Sequence, residues 1–307
     1  MSNNRLRFAH FFPLLVVLAV GQPAAFGQRS LSATSSVETD SAKPSSIVRF
    51  LSYNIRYANP GDGKDFWPNR KAAVASTLDQ VDIFGLQEAL PSQLNDLQEL
   101  TTEFAWYGIG RNDGMLSGET TAIGWRKDRF LLLGADTIWL SPTPLSIGSK
   151  GWDAALPRIA SWVTLLDQNS GKRFTFLNTH FDHRGQTARA ESALLIRKWC
   201  TENSRRGPFV ISGDLNAQLN SEPLNNLLGK NDSGLVTLLN TREVASQPDR
   251  GPDSTWNGFR KIEPGRRIDF LLASEGLTVN AFQTLDPKTD AGRFASDHLP
   301  VQASVQF

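Results

Sequence analysis

The chain has 307 residues, with 32 Lys and Arg against 31 Asp and Glu, four His and one Cys. A lone cysteine excludes an internal disulfide, so stability must come from an apolar core, which a chain of this length can supply. The near-neutral balance shows neither the basic surplus nor the basic run of a polyanion binder, which argues against a nucleic-acid substrate.

The first residues do not read as part of a fold. Arg5 and Arg7 are followed by an apolar run from Phe11 to Val20, broken only by Pro13, and then by the small residues around Ala25-Phe26-Gly27. This three-part pattern predicts a signal peptide over residues 1–27 and an exported, periplasmic or extracellular protein. The run falls short of the about 20 apolar residues that span a bilayer; an uncleaved anchor is the alternative. Removing the two arginines of this segment leaves 30 basic and 31 acidic residues. Residues 28–46, rich in Ser, Thr and Ala without apolar periodicity, predict a flexible linker.

From Ile47 onward the chain reads as one domain, 47–307. Short apolar runs bounded by Gly, Pro, Asn and Asp predict strands at Ile47–Asn54, Ile83–Gln87, Thr121–Arg126, Ile159–Leu166, Phe174–Thr179, Phe209–Ser212, Ile268–Ala273 and Val301–Phe307. Helices are predicted at Arg70–Leu78, Ser92–Leu100 and Thr187–Asn203, the last with Ala190, Ala193, Leu194 and Trp199 on one face. Cys200 falls within that helix and reads as a small buried apolar residue. Strands with helices set among them imply sheets packed face to face under helices. No segment after residue 27 is apolar for long enough to cross a membrane, and no apolar loop stands out as a membrane-docking device.

Polar residues recur at the ends of these apolar strands: Tyr53-Asn54, Gln87-Glu88, Asn178-Thr179-His180, Gly213-Asp214-Leu215-Asn216, Arg267-Ile268-Asp269 and Ser296-Asp297-His298. Taken singly each has an ordinary explanation, since Asp-x-Asn favours turns and a strand-end Glu is usually solvated. Buried separately without partners, such groups would be costly. Gathered at one sheet edge, they suit a hard divalent cation and a phosphate, because carboxylates and carboxamides are the oxygen ligands magnesium prefers.

In this order, Tyr53-Asn54-Ile55-Arg56, Gln87-Glu88, Asn178-Thr179-His180, Gly213-Asp214-Leu215-Asn216, Arg267-Ile268-Asp269-Phe270 and Ser296-Asp297-His298 resemble the signature of the endonuclease/exonuclease/phosphatase (DNase I-like) superfamily. The resemblance runs from about Ile47 to Phe307. It implies an α+β fold, a four-layer αββα sandwich of two mixed sheets flanked by helices. It implies a phosphoric-ester hydrolase in which water attacks phosphorus directly, aided by Mg²⁺, with Mn²⁺ or Ca²⁺ as alternatives. Carried over by position, Glu88 is the main metal ligand, with Asn54 and Asp297 beside it. His298 is the catalytic histidine, paired with Asp269. Asp214 and Asn216 orient the water and hold phosphoryl oxygens, while His180 helps to neutralise their charge. Glu119 is then the carboxylate partner that orients His180, and Arg158 a phosphate contact.

Within that superfamily the chain most resembles an exported bacterial group marked by Gly151-Trp152-Asp153-Ala154-Ala155-Leu156-Pro157-Arg158 and His180-Phe181-Asp182-His183-Arg184-Gly185. These loops are expected to line the substrate site, Lys150, Trp152, Arg158, His183 and Arg184 offering cations and a flat apolar surface to a small phosphorylated, sugar-like ester. The opposing reading makes Trp152 a loop anchor and Arg184 a strand-end cap. A secreted nuclease and a non-catalytic binding or toxin-like protein are the other functional readings. The charge balance disfavours the first and the intact polar set the second. A monomer is expected.

Overall fold

The computed structural model describes residues 47–229 and 234–307; the expected signal peptide and linker lie outside the described residues. In chain order the elements are β1 (Ile47–Asn54), α1 (Lys71–Leu78), β2 (Ile83–Gln87), α2 (Pro91–Leu100), β3 (Phe104–Tyr107), β4 (Ile123–Arg126), β5 (Phe130–Trp139), β6 (Ile159–Asp167), β7 (Lys172–His180), α3 (Gln186–Glu202), β8 (Phe209–Asp214), α4 (Glu222–Leu228), β9 (Leu238–Asn240), α5 (Thr241–Val244), β10 (Asp269–Ser274), β11 (Thr278–Thr284) and β12 (Val301–Gln306). Among the described residues no helix is long and apolar enough to cross a membrane.

The strands form two six-stranded sheets, ordered β11-β12-β1-β2-β4-β3 and β5-β6-β7-β8-β10-β9. Each is mixed, with β1 parallel to β2 and β7 parallel to β8 among antiparallel neighbours. Strand alternation sets the layers, because successive side chains point to opposite faces. Val48 and Phe50 of β1, Phe174 and Phe176 of β7, Val210 of β8 and Val301, Ala303 and Val305 of β12 meet between the sheets. Leu51, Tyr53, Phe84 and Leu86 face the other way, onto Val74, Leu78, Leu94 and Leu97 of α1 and α2. Leu177, Ile211, Phe270 and Leu272 likewise pack under Ala193, Ile196 and Cys200 of α3 and Leu224 and Leu227 of α4. The result is the expected four-layer αββα sandwich, with Cys200 buried in its core.

Helix ends are set locally. Pro91 opens α2, where its missing N–H costs nothing and its fixed φ suits the first turn. The Gln93 side-chain oxygen accepts the Leu90 N–H at 3.2 Å. Asp153, from a distant loop, accepts the Thr187 and Ala188 N–H groups at the start of α3. Gly229, at φ +76°, ends α4 in the left-handed region that glycine adopts without steric cost.

The space between the sheets changes character along the strands. Two residues past Phe50, Phe176 and Val210 stand Ser52, Asn178 and Ser212, and two further on Asn54, His180 and Asp214. The middle layer is a polar network: Gln87 Nε2 donates to Asn178 Oδ1 at 2.6 Å, Ser212 Oγ to the same oxygen at 2.9 Å, and Asn178 Nδ2 to the Leu86 carbonyl at 2.8 Å. It bridges the sheets directly beneath the strand-end cluster and holds their separation there. Gly85 makes room for it, since a Cβ at this position would stand 2.3 Å from Ser212 Oγ and 2.6 Å from Asn178 Cγ. Both neighbours are hydrogen-bonded and cannot yield cheaply. Gly85→Ala is therefore expected to cost about 1–3 kcal/mol and to lower the thermal midpoint by several degrees. An unchanged midpoint in calorimetry would show that the sheets can part here without penalty.

Candidate active site

The third layer opens at one edge of the sandwich and brings the strand-end residues together. β10 is antiparallel to β8, with Asp269 directly opposite Asp214. β7 runs parallel to β8, with His180 beside Asp214. His298, just before β12, gives its Nδ1–H to Asp269 Oδ2 at 2.8 Å. The second Asp269 oxygen is buried without a hydrogen-bond partner, so the side-chain bond to His298 is the one this carboxylate makes. Burial works against a charge on His298, but Asp269 and then Asp214 outweigh it and push the imidazolium up to about 10.

Asp214 lies at the centre. Its Oδ1 accepts the Asn216 N–H at 2.9 Å and its Oδ2 the Asn54 Nδ2–H at 2.9 Å. The same Oδ2 stands 3.5 Å from His180 Nε2 and 3.6 Å from His298 Nε2. Burial, followed by the neighbouring Asp269, pushes the Asp214 carboxyl up to about 7. Burial and the nearby Glu88 also push Asp297 up, to about 6, although His298 and Arg56 pull it down. Arg56 stands 4.0 Å from both Glu88 and Asp297 while its guanidinium is engaged by Asp62. Glu88, Arg56 and Asn216 all take left-handed backbone conformations, at φ +60°, +55° and +45°. Such strain is held by its surroundings and concentrates at functional sites.

Three expected site residues meet the following partners in this geometry. Asn54 Nδ2 donates to Glu88 at 3.1 Å as well as to Asp214, and its Oδ1 accepts the Arg56 N–H at 3.0 Å, which leaves that oxygen a second lone pair. It braces the two carboxylates. Burial, then the nearby Arg158 and Arg111, lower the pKa of His180 well below the ordinary range, which disfavours the charged ring. Asn216 Nδ2 donates to His180 Nε2 at 3.1 Å and to the Phe181 carbonyl at 3.1 Å, which leaves the ring proton on Nδ1. Glu119 does not hold His180: it is bound by both terminal nitrogens of Arg111, at 2.7 and 3.1 Å, and no hydrogen bond joins it to the imidazole. A guanidinium fork is the stronger partner for a part-buried carboxylate.

The cleft above the cluster has a volume of about 520 Å³ and is lined in part by Arg56, Tyr57, Leu156, Arg158, His183, Trp256 and Arg266. Arg158 is buried, its Nη2 in contact with His183 Nδ1 at 3.0 Å, its Nε 3.4 Å from Asp182, and its Nη1 without a protein partner. Asp182 in turn accepts the Arg184 and Gly185 N–H groups at 2.9 and 2.8 Å. Burial pushes its carboxyl up, but these amides, that of Ala155 and Arg158 together hold it well below the usual range. Trp152, Lys150 and Arg184 do not line the cleft. Trp152 is 36% exposed at φ +51°, and it is its neighbour Asp153 that pins the loop to α3.

Trp256 and Arg266 were not singled out from the sequence. The Trp256 ring meets His298 edge-on, with centroids 4.8 Å apart, and Arg266 lies 4.6 Å over the same indole. Both sit in the irregular stretch before β10, where no periodicity marks them; the available signal was a Trp shortly before a strand-opening Asp.

Three comparisons bear on this geometry. The Endonuclease/Exonuclease/phosphatase family pattern matches residues 51–298. The chain belongs to that family. The solved endonuclease/exonuclease/phosphatase of Bacteroides vulgatus is 34% identical, with a TM-score of 0.80 over 85% of this chain and 99% of that one. A mannosyl-6-phosphatase of Bacteroides thetaiotaomicron is 33% identical, with a TM-score of 0.77 over 85% of this chain and all of that one. The human Nocturnin catalytic domain, at 19% identity and a TM-score of 0.65 over 85% of this chain and 95% of that one, shares the fold.

The residues of this family member fit a hard divalent cation. Glu88 and Asp297 face one another's charge across Arg56, and both Asp297 and Asp214 are carboxyls destabilised as anions by burial, a condition that a bound cation relieves. Asp214, Asp269 and His298 also place ligand atoms within 4.8 Å of one another. Of these, Asp269 Oδ2 and His298 Nδ1 are engaged with each other, and the two Asp214 oxygens accept from Asn216 and Asn54.

Proposed function

We propose that the protein is a magnesium-dependent phosphomonoesterase acting on a small phosphorylated, sugar-like substrate. The observation that carries this reading is Arg158, a buried guanidinium at the cleft with one nitrogen that no protein group satisfies. A buried unpaired donor of this kind costs free energy unless a ligand completes it, and a phosphoryl group is the natural acceptor for a guanidinium. The likeness to a mannosyl-6-phosphatase supports the same substrate class. No basic run accompanies the site, so the nuclease reading gains nothing from the fold.

The chain's own residues divide the work. Asp214, its pKa raised towards neutrality, takes the proton of the attacking water, and the Asn216 N–H fixes the carboxylate that does so. His298 sits 3.6 Å from Asp214 and therefore on the attacking side. In-line displacement puts the leaving oxygen opposite, so His298 Nε2–H serves a phosphoryl oxygen, and the leaving alkoxide takes its proton from solvent. Arg158 binds the remaining phosphoryl oxygens. Glu88 and Asp297 would hold a divalent cation, which when bound would supply Lewis-acid stabilisation of the phosphoryl group.

A panel of hexose phosphates, phosphodiesters, plasmid and phospholipid with Mg²⁺, Mn²⁺ or Ca²⁺ tests the proposal. Hexose monophosphates should turn over fastest. Efficient plasmid cleavage at physiological salt would replace this reading with the nuclease, whose many phosphate contacts also make binding strongly salt-dependent. Export is part of the same proposal and rests on the basic, apolar and small-residue order of residues 1–27. N-terminal sequencing of protein from the native host should find a chain beginning near Gln28; Met1 retained in the membrane fraction would mean an anchor instead.

A further inference from the structure

The His298–Asp269 pair straddles the two sheets. Asp269 opens β10 in one sheet, while His298 precedes β12 in the other. The pairing of β12 with β1 starts only at Val301, and the ladder of β10 with β8 starts at Asp269 itself. Neither sheet's ladder therefore reaches both partners. The distance and angle across the 2.8 Å hydrogen bond between them depend on what joins the sheets at this edge.

A tripeptide, Thr255-Trp256-Asn257, makes that join. On one side, Thr255 Oγ1 accepts the backbone N–H groups of Ile268 and Asp269, at 3.0 and 3.2 Å, and the Thr255 N–H returns to the Arg266 carbonyl at 3.1 Å. On the other side, the Thr255 carbonyl accepts the Leu299 N–H at 2.7 Å, and Trp256 pairs with His298 as an isolated antiparallel bridge. The Asn257 N–H donates to the Asp297 carbonyl at 2.9 Å, and Asn257 Nδ2 to the Ser296 carbonyl at 3.0 Å. The tripeptide thus holds the backbone that carries Asp269 and the backbone on both sides of His298. Thr255 is fully buried and Asn257 nearly so, and neither lines the cleft. Thr255 is the residue that reaches both partners, through its hydroxyl to Asp269 and through its carbonyl to the residue after His298.

We propose that Thr255 is a positioning residue: its hydroxyl sets the reach and aim of Asp269 toward His298 Nδ1, and it governs the chemical step without touching substrate. The proposal takes its reaction from the phosphomonoesterase reading above. Thr255→Val keeps the shape of the side chain and removes the acceptor, which orphans two buried N–H groups at the start of β10. That backbone must then shift or admit water, and the carboxylate moves with it. A small misplacement of this kind costs rate more than binding, so the loss belongs in kcat. Thr255→Ser keeps the acceptor and the geometry.

The test compares Thr255→Val and Thr255→Ser with Thr175→Val, a control for lost stability. Thr175 is buried on β7, where its hydroxyl shares a 3.0 Å hydrogen bond with that of Thr164 on β6, away from the strand-end cluster. With a hexose monophosphate and Mg²⁺, Thr255→Val should lose about 10–100-fold in kcat with KM little changed. Thr255→Ser should recover most of that loss, and Thr175→Val should lower the unfolding midpoint while keeping its turnover. Thr255→Cys, whose sulfur is a weaker acceptor, should fall between Ser and Val and serves if the valine variant does not fold. A second readout needs no substrate. The His298 Nδ1 proton, held against Asp269, should give a low-field imidazole resonance in proton NMR, assigned by its absence in Asp269→Asn. It should move upfield or vanish in Thr255→Val and persist in Thr255→Ser and Thr175→Val. An unmoved resonance in Thr255→Val, or a kcat loss no greater than that of Thr175→Val, would reduce Thr255 to a support of the fold and overturn the proposal. If the wild type cleaves no hexose phosphate, the phosphomonoesterase reading fails by itself, and the resonance still decides for or against Thr255.

Discussion

His298→Ala should lower kcat by on the order of 10²–10⁴-fold, and Asp269→Asn should come close to it. The two side chains share one 2.8 Å hydrogen bond, while the other carboxylate near His298, Asp214, stands 3.6 Å from its Nε2. Asp269 acts on the reaction only through His298: it fixes Nδ1 as the protonated nitrogen, aims Nε2 at the cleft and keeps the ring charged. Without the carboxylate, burial lowers the imidazole's proton affinity and the ring no longer meets phosphoryl oxygen as a cation. The double variant should therefore be little worse than the worse single one, because residues acting as a unit are non-additive. The losses should fall on kcat more than KM, since the imidazolium serves charge that develops in the transition state. If Asp269 only opened a strand, both variants would instead lower the unfolding midpoint and leave the folded fraction active. Fully additive losses in kcat would count against the pairing, and near-normal turnover in His298→Ala would end it.

How far the site could be read from the sequence depended on strand alternation. β1 and β2 begin and end as expected, and each polar cluster follows an apolar run whose parity points it between the sheets. The strands that were missed have physical reasons. β5 holds Leu131, Leu132 and Leu133, all substantially exposed, and a register shift between Leu132 and Gly134, so its apolar residues do not alternate on an edge strand. β11 carries a similar shift between Val279 and Ala281 beside Asn280. Partner identity was harder still. Glu119 and His180 are close in the cleft, but Arg111, eight residues earlier in the chain, captures the carboxylate first. Surface apolar residues brought together from separate loops were not legible either. Met115 and Leu116 on one loop and Leu145 and Ile147 on another are more than half exposed, and Gly114 lies against Ile147, so an apolar face is assembled from two segments that each look unremarkable.

Glu88→Gln should weaken Mg²⁺ binding by about 100-fold, or roughly 2.7 kcal/mol, and activity at limiting metal should fall with it. Glu88 is the least buried carboxylate of the cluster, at 15% side-chain exposure against 8% for Asp297 and 2% for Asp214. It can therefore approach a cation that keeps part of its water shell, as magnesium does. Removing its charge leaves the cation to Asp297, itself partly countered by Arg56. The substitution is mild for the fold. A glutamine oxygen can still accept from Asn54, and the lost contact is the Tyr57 N–H at 3.2 Å, worth about 1 kcal/mol. It also relieves the repulsion that helps to push Asp297 up. The readout need not be activity. A ligand that binds only the folded state stabilises it in proportion to RT ln(1 + [L]/Kd), so Mg²⁺ should raise the wild-type unfolding midpoint and leave that of Glu88→Gln nearly still. An equal rise in both proteins, with equal affinity by calorimetric titration, would move the metal away from Glu88 and onto the Asp214–Asp269–His298 group, and would require that the short Asp269–His298 bond open when the ion arrives.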